Sequence, residues 1–246
     1  MKNLEGKTAV VTGGNSGIGY AAAKELKEQG ASVIITGRRK DALELAAAEL
    51  GVTGIVADQG QVSAIGELAN AAADQFGKVD ILFINAGVLG MGSVENATEE
   101  VFDNVIDINF KGAYFTLSKF IPFLSEGASV VFLSSNTASM NGAESSIYSS
   151  GKAALNSVMR IAAVELAPRK IRVNAVSPGP TETAIMGKAG FEGDQLDAIK
   201  SWVIDRVPLK KMGDAGDVAK MVAYLSGDGA KFITGSEFVM DGGMSL

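Results

Sequence analysis

Thr8-Ala9-Val10-Val11-Thr12-Gly13-Gly14-Asn15-Ser16-Gly17-Ile18-Gly19-Tyr20 starts as an apolar strand, passes through four glycines and enters a helical pattern that continues to Gln29. Apolar residues at consecutive positions suit a parallel strand covered by helices on both faces. Glycines at the junction let the backbone turn tightly. They also open the helix N-terminus, whose unpaired N–H groups and dipole favour a phosphate. The spacing is Thr-Gly-x-x-x-Gly-x-Gly rather than Gly-x-Gly-x-x-Gly, because Asn15 and Ile18 stand where the stricter pattern has glycine. A plain glycine-rich strand–helix connection is the alternative reading. Gly13, Asn15, Ser16, Gly17, Ile18 and Gly19 are candidate phosphate-cradle residues.

Outward from this turn the pattern repeats. Strands are expected at Thr8–Thr12, Ser32–Thr36, Thr53–Ala57, Ile81–Ile84, Ser129–Leu133, Arg172–Val176 and Glu237–Val239. Helices are expected at Ile18–Gln29, Lys40–Leu50, Val62–Phe76, Glu99–Leu124, Ser146–Ala167 and Gly216–Leu225. This alternation predicts an α/β fold: a single Rossmann-like, doubly wound parallel sheet of about seven strands with helices on both faces. Such a fold binds a dinucleotide at its first strand–helix junction. No linker or repeat divides the chain, so residues 1–246 read as one dinucleotide-binding catalytic domain. Four of the five prolines lie at or after position 168. The stretch after Pro180 is the least periodic, and residues 184–207 read as an insert with a short helix near Gln195–Ile204.

Composition narrows the chemistry. The 246 residues are 47% hydrophobic and 20% charged with net charge −6, enough apolar material for a large core. An acidic chain whose longest basic run is Arg38-Arg39-Lys40 excludes nucleic acid as the expected partner. The chain has no His and no Cys, which removes disulfides, thiolate nucleophiles and most transition-metal sites. No metal site is therefore expected, although carboxylates and carbonyls still allow a hard cation. No stretch reaches the roughly 18 apolar residues of a membrane span, and Met1–Lys7 is too polar to begin a secretory signal. The expectation is a cytoplasmic protein with no membrane partner.

The second strand ends in Gly37-Arg38-Arg39, with Arg38 19 positions past Gly19. An acidic residue there suits a ribose 2′-hydroxyl, and an arginine suits a 2′-phosphate. NADP(H) is thus favoured over NAD(H), with a solvated basic loop as the alternative. Asp41 reads as the start of the next helix. Asp58, after Ile55-Val56-Ala57, either hydrogen-bonds the adenine or an amide, or caps the following helix.

Tyr148-Ser149-Ser150-Gly151-Lys152 supplies the reacting group. A Tyr and a Lys four apart share a helix face, so the ammonium can sit beside the phenol and lower its pKa from about 10. Without His, this is the best-placed proton donor and acceptor for a carbonyl or alcohol oxygen. Ser135 lies 13 residues earlier, with Ser134 as the neighbouring alternative.

Taken together, Thr12-Gly13-x-x-x-Gly17-Ile18-Gly19, Asp58, Asn85-Ala86-Gly87, Asn109, Ser135, Tyr148-x-x-x-Lys152 and Pro178-Gly179 followed by Thr181 resemble the short-chain dehydrogenase/reductase family over essentially the whole length. The resemblance implies that Tyr148 protonates a ketone oxygen or deprotonates an alcohol. Lys152 would lower the tyrosine pKa and bind the nicotinamide ribose, and Ser135 would hydrogen-bond the substrate oxygen. Asn109 would hold a water that links Lys152 to solvent; satisfying buried backbone is its bland alternative. Asn85, Ala86 and Gly87 would shape the cofactor site, and Pro178, Gly179, Thr181 and Thr183 would lie at the nicotinamide end. A homotetramer is implied, with a dimer second; the Gly235–Leu246 tail and the helices after Thr98 and Ser146 would lie in its interfaces.

Gly90–Ser93, Thr137–Ser145 and the insert Ala184–Trp202 are expected to form the substrate pocket. They carry no Arg or Lys cluster that would clamp a carboxylate, so a neutral ketone or secondary alcohol fits better than a keto acid. Gly187, Gly190 and Gly193 around Lys188 and Phe191 read as a hinged lid that excludes water. Met91, Met140 and Met186 are candidates for a pliable pocket wall, or equally for ordinary packing. The alternatives to a ketone reductase are a 3-oxoacyl thioester (acyl-carrier-protein) reductase and a catalytically silent dinucleotide-binding sensor or scaffold.

Overall fold

The computed structural model describes residues 3–140, 142–183 and 193–246, with 194–196 as backbone only. Its strands are β1 (Thr8–Val11), β2 (Ser32–Gly37), β3 (Thr53–Val56), β4 (Val79–Ile84), β5 (Leu124–Leu133), β6 (Arg172–Pro178), β7 (Thr181–Glu182), β8 (Gly213–Asp214) and β9 (Glu237–Met240). Seven of them form one parallel sheet in the order β3-β2-β1-β4-β5-β6-β9, as the strand–helix alternation requires.

Helices α1 (Gly17–Glu28), α2 (Lys40–Leu50), α3 (Val62–Phe76), α4 (Glu99–Ile106), α5 (Ala113–Phe120), α6 (Ser146–Leu166), α7 (Gly193–Arg206) and α8 (Ala215–Ser226) complete the described elements. Side chains alternate across a strand, so each central strand feeds two cores. On one face Ala9, Val11, Ile81 and Phe83 pack with Leu26, Leu43 and Val222 of α1, α2 and α8. On the other, Val10, Leu82 and Ile84 pack with Leu68, Phe120, Leu155 and Met159 of α3, α5 and α6. That double burial explains the unbroken apolar runs.

The chain builds β1, β2 and β3 in one direction, then crosses back to place β4 on the other side of β1. The crevice of such a sheet lies where the order reverses, at the carboxyl ends of β1 and β4. The glycine turn is therefore at the switch point.

Two expectations need correction. Glu99–Leu124 is not one helix: α4 passes into a π-helical turn at Asp107–Gly112, then α5, and a 3₁₀ turn at Ile121–Phe123 ends the run. Pro122 sits in that last turn, and β5 begins at Leu124 rather than Ser129. Leu124 pairs with Val79 before the β4–β5 register shifts, and Gly127 at φ 76° turns the backbone between the two paired parts. In the insert, α7 is longer at both ends than Gln195–Ile204. Met186, Gly187, Lys188, Gly190 and Phe191 lie outside the described residues. β7 and β8, two residues each, pair as a small parallel ribbon that no sequence period announces.

Candidate active site

The ends of β1 and β4 are locked before any ligand is considered. The Thr12 hydroxyl accepts hydrogen bonds from Asn85 N and Ala86 N at 3.0 and 3.1 Å. Asn85 Nδ2 donates back to Thr12 O at 2.8 Å and to Gly13 O at 3.2 Å. Gly19 has no room for a side chain, since a Cβ there would overlap Gly13 O and Asn85 Nδ2. Gly13 adopts φ 65° and Gly17 φ 55°, the left-handed region in which glycine is unstrained. The turn is thus shaped for close backbone approach, with Ser16 as the N-cap of α1.

Above it opens a cavity of about 680 Å³. Of the expected residues, Gly13, Asn15, Ser16, Gly17 and Ile18 line it at the turn, and Arg38, Arg39 and Asp58 at one end. Asn85, Ala86 and Gly87 form a wall, and Tyr148, Lys152 and Thr183 complete the lining. Arg38 and Arg39 are exposed and make no ion pair among the described residues. Asp41 lies in the first turn of α2, close to the expected helix start. Asp58 does not cap α3, whose N-cap is Gln61; its Oδ1 instead accepts from Gly60 N at 2.9 Å. The volume, the tight glycines and two unpaired cations beside the second strand fit a dinucleotide.

Gly19, Asn109, Ser135, Pro178, Gly179 and Thr181 are not among the residues that line the cavity. Asn109, in the π-helical turn, accepts from Val88 N and donates to Val88 O, both at 2.8 Å. Gly179 N donates to Met240 O at 3.0 Å, and Thr181 Oγ1 to Gly179 O at 3.0 Å. A Cβ on Gly17 would touch Thr183, so the turn and the segment after β7 face one another.

At the other end of the cavity, Ser135 caps the 3₁₀ turn Asn136–Ala138 and neighbours the Tyr148 phenol. Its Oγ also accepts from Thr137 Oγ1 at 3.0 Å. The Ser134 hydroxyl faces Lys152 O instead, so Ser135 is the serine that meets the tyrosine. Lys152 is buried and donates from Nζ to Leu133 O at 2.7 Å, with Nζ 5.7 Å from the centre of the Tyr148 ring. Burial pushes the Lys152 ammonium down from its ordinary value to about 8. Burial also raises the Tyr148 phenol, with the neighbouring Ser135 hydroxyl pulling the other way. The expectation that Lys152 depresses the tyrosine does not hold in this geometry. The ammonium spends its bond on a carbonyl and is too far from the phenol to outweigh desolvation.

The two loops expected at the substrate pocket are tied together: Gly92 N donates to Glu144 O at 2.7 Å, and Gly92 bridges Ser145. Glu144 holds φ 62° to make that contact. Met91 is exposed and Met140 half-buried, and neither lines the cavity. Residues the sequence did not single out also line it: Thr36 and Leu133, Gln59 and Val88, and Asn104 with Ile108. Thr36 and Leu133 end strands at the carboxyl edge, and that position was a usable signal. Asn104 and Ile108 carried none.

This fold and site define a nicotinamide-dinucleotide oxidoreductase of the Rossmann type, and comparison with known proteins makes the assignment specific. A family profile described as "Enoyl-(Acyl carrier protein) reductase" matches residues 13–245. An uncharacterized oxidoreductase of Methylorubrum extorquens is 37% identical over 250 residues, 99% of this chain and 100% of that protein. Versicolorin reductase of Emericella nidulans is 34% identical over 256 residues, 98% and 96% of the two chains. Among solved structures, a short-chain dehydrogenase/reductase of Serratia marcescens superposes with TM-score 0.91 at 29% identity, covering 99% and 100% of the two chains. A blue fluorescent protein from a metagenomic library, in complex with NADPH, gives 0.90 at 28%, again over 99% and 100%. The chain belongs to the short-chain dehydrogenase/reductase family.

Proposed function

We propose that the protein transfers a hydride between NADP(H) and a neutral ketone or secondary alcohol, with Tyr148 as general acid and base. The observation that carries this reading is Tyr148 beside Ser135 and buried Lys152, at one end of a cavity whose other end presents Arg38 and Arg39. A bound nicotinamide supplies or accepts the hydride. The protein contributes position and a proton. Ser135 fixes the substrate oxygen near the phenol, and a phenol kept neutral by burial is the form that donates in reduction. Lys152 holds positive charge below about pH 8 and favours the phenolate left after transfer. Asn109 holds Val88, and with it the cavity wall, through two backbone bonds. Arg38 and Arg39 would take the 2′-phosphate in a forked, charge-assisted contact.

The reading extends to a cytoplasmic homotetramer. Among the described residues no helix is long and apolar enough to cross a membrane. The acyl-carrier-protein reductase reading draws on the matched family's description, yet Lys119, Arg160, Arg169 and Lys170, which would have to meet an acidic carrier, are scattered in sequence, and two of them are engaged. Arg169 donates to Ile121 O and Leu124 O, and Lys170 pairs with Glu126 at 2.6 Å.

The test mixes purified protein with NADPH or NADH and a panel of neutral ketones, alcohols and an acyl thioester, following nicotinamide absorbance. Turnover that prefers NADPH and drops by roughly 10²–10⁴ in Tyr148→Phe is expected. A clear NADH preference would remove the role given to Arg38. Cofactor binding with no turnover of any substrate would leave a silent binder.

A further inference from the structure

Asp241 lies beyond the last strand, outside the cavity lining and outside every motif discussed above, yet its carboxylate is a junction. Oδ2 accepts from Asn136 Nδ2 at 3.3 Å and from Ser245 N at 2.9 Å, while Oδ1 accepts from Gly243 N at 2.9 Å. Asn136 is the residue after Ser135, 105 positions away in sequence. The Asp241–Asn136 contact is buried, with Asp241 9% exposed and Asn136 3%.

Two more contacts make the junction three-way. A Cβ on Gly179 would sit 2.5 Å from Asp241 Cβ and 3.2 Å from Asn136 Nδ2, so the turn after β6 rests on both side chains. Leu209 N donates to Gly242 O at 3.1 Å, and a Cβ on Gly242 would lie 2.5 Å from Val207 Cγ1. Val207 follows directly on α7 and is itself buried. The segment Asp241–Gly243 therefore touches the loop that carries Ser135, the turn after β6 and the exit of the α7 helix.

We propose that Asp241 is a positioning residue that couples the placement of Ser135 to the placement of α7, and so sets affinity for the carbonyl substrate rather than for the dinucleotide. This rests on the ketone-reductase reading above. A carboxylate that accepts two hydrogen bonds from its own turn and one from the distant Asn136 has one low-energy arrangement of them, whereas an amide in its place meets donors with a donor. The cofactor contacts at Gly13–Gly19 and Arg38 belong to other elements, and Gly179, expected at the nicotinamide end, packs on the Asp241 Cβ, which both substitutions keep.

The test uses the full chain with Asp241→Asn and Asn136→Ala, singly and together. Asn136→Ala leaves the two backbone bonds of the carboxylate in place, so it reports even if Asp241→Asn fails to fold. Trp202, the single tryptophan of the chain and a residue of α7, gives an optical signal for the helix. The expected result is a KM for the ketone raised about tenfold in either variant, with kcat lowered as Ser135 shifts and NADPH affinity within about twofold. A charged hydrogen bond of ordinary strength corresponds to that factor. The double variant is expected to be no worse than Asp241→Asn alone, with the Trp202 emission of both Asp241 variants shifted from the parent. Additive losses, an equal rise in the NADPH dissociation constant, or lower melting temperature with unchanged kinetics would each overturn the proposal. Failure of the ketone-reductase reading is separate: the parent itself would then turn over no ketone.

Discussion

Lys152 shows how one residue trades stability for chemistry. Its ammonium is buried against Leu133 O, and burial has moved its pKa from 10.5 to about 8. A lowered lysine pKa means that the folded state resists the charge. Below about pH 8 the folded chain carries the whole penalty, on the order of 3 kcal/mol. Between about 8 and 10.5 the unfolded chain binds the extra proton, so stability climbs with pH until the penalty is gone. Lys152→Met removes the charge and leaves the Leu133 carbonyl unpaired at a cost of about 1 kcal/mol. The variant should therefore be inactive yet more stable by roughly 2 kcal/mol at pH 7, with the advantage fading as pH approaches 10.5. Thermal denaturation of the empty protein from pH 7 to 10.5 checks this, and a variant less stable than the parent at pH 7 would refute it. The Tyr–Lys pair was legible in sequence because four-residue spacing places both on one helix face. The direction of its pKa coupling was not, because burial and the Leu133 carbonyl come from other segments.

At the scale of elements, the strands and most helices were readable because double-sided burial writes long apolar runs and the helices between them alternate with Ala, Glu and Lys. What escaped was set by contacts between distant segments. The π-helical turn at Asp107–Gly112 forms where Gly112 lies against Gln59 O, and a Cβ there would overlap that carbonyl and come within 2.9 Å of Asp107 O. Gln59 Nε2 donates to Thr116 Oγ1 at 2.9 Å, and that hydroxyl donates to Gly112 O at 2.8 Å, so the turn is pinned from both sides. No local period encodes a contact across more than 50 positions. Gly112→Ala must push backbone against backbone, and should cost about 1–3 kcal/mol. Because the same turn carries Asn109 and its hold on Val88, NADPH affinity should fall with it. Gly66→Ala, in the middle of α3 with nothing within 4 Å, is the matched control and should stabilise by about 1 kcal/mol. Denaturant melts and NADPH titrations of the pair decide the point. Equal stability in both variants would mean that the turn adapts freely.

For the whole molecule, the question is what covers its remaining apolar surface. Helices α4, α5 and α6 pack beside one another and turn Phe102, Tyr114, Ile161 and Val164 out to solvent, with Val164 at 76% exposure. A second surface follows the sheet edge, where Phe232, Val239 and Leu246 are exposed around β9. Scattered surface apolars need no explanation, but two grouped sets on different elements do. A closed assembly built from two different self-complementary patches has four subunits, whereas one patch alone stops at two. The proposed homotetramer thus makes a divisible prediction. Val164→Glu places a charge in the helical patch and should leave a dimer held through the β9 edge. Phe232→Glu should leave a dimer held through the helices, and the double variant should be a monomer. Sedimentation equilibrium of the four proteins reads these masses directly. If Val164→Glu alone gives monomers, the β9 edge is no interface, and the assembly is the dimer. If neither substitution changes the mass of a tetrameric parent, both patches are ordinary surface and the subunits meet elsewhere.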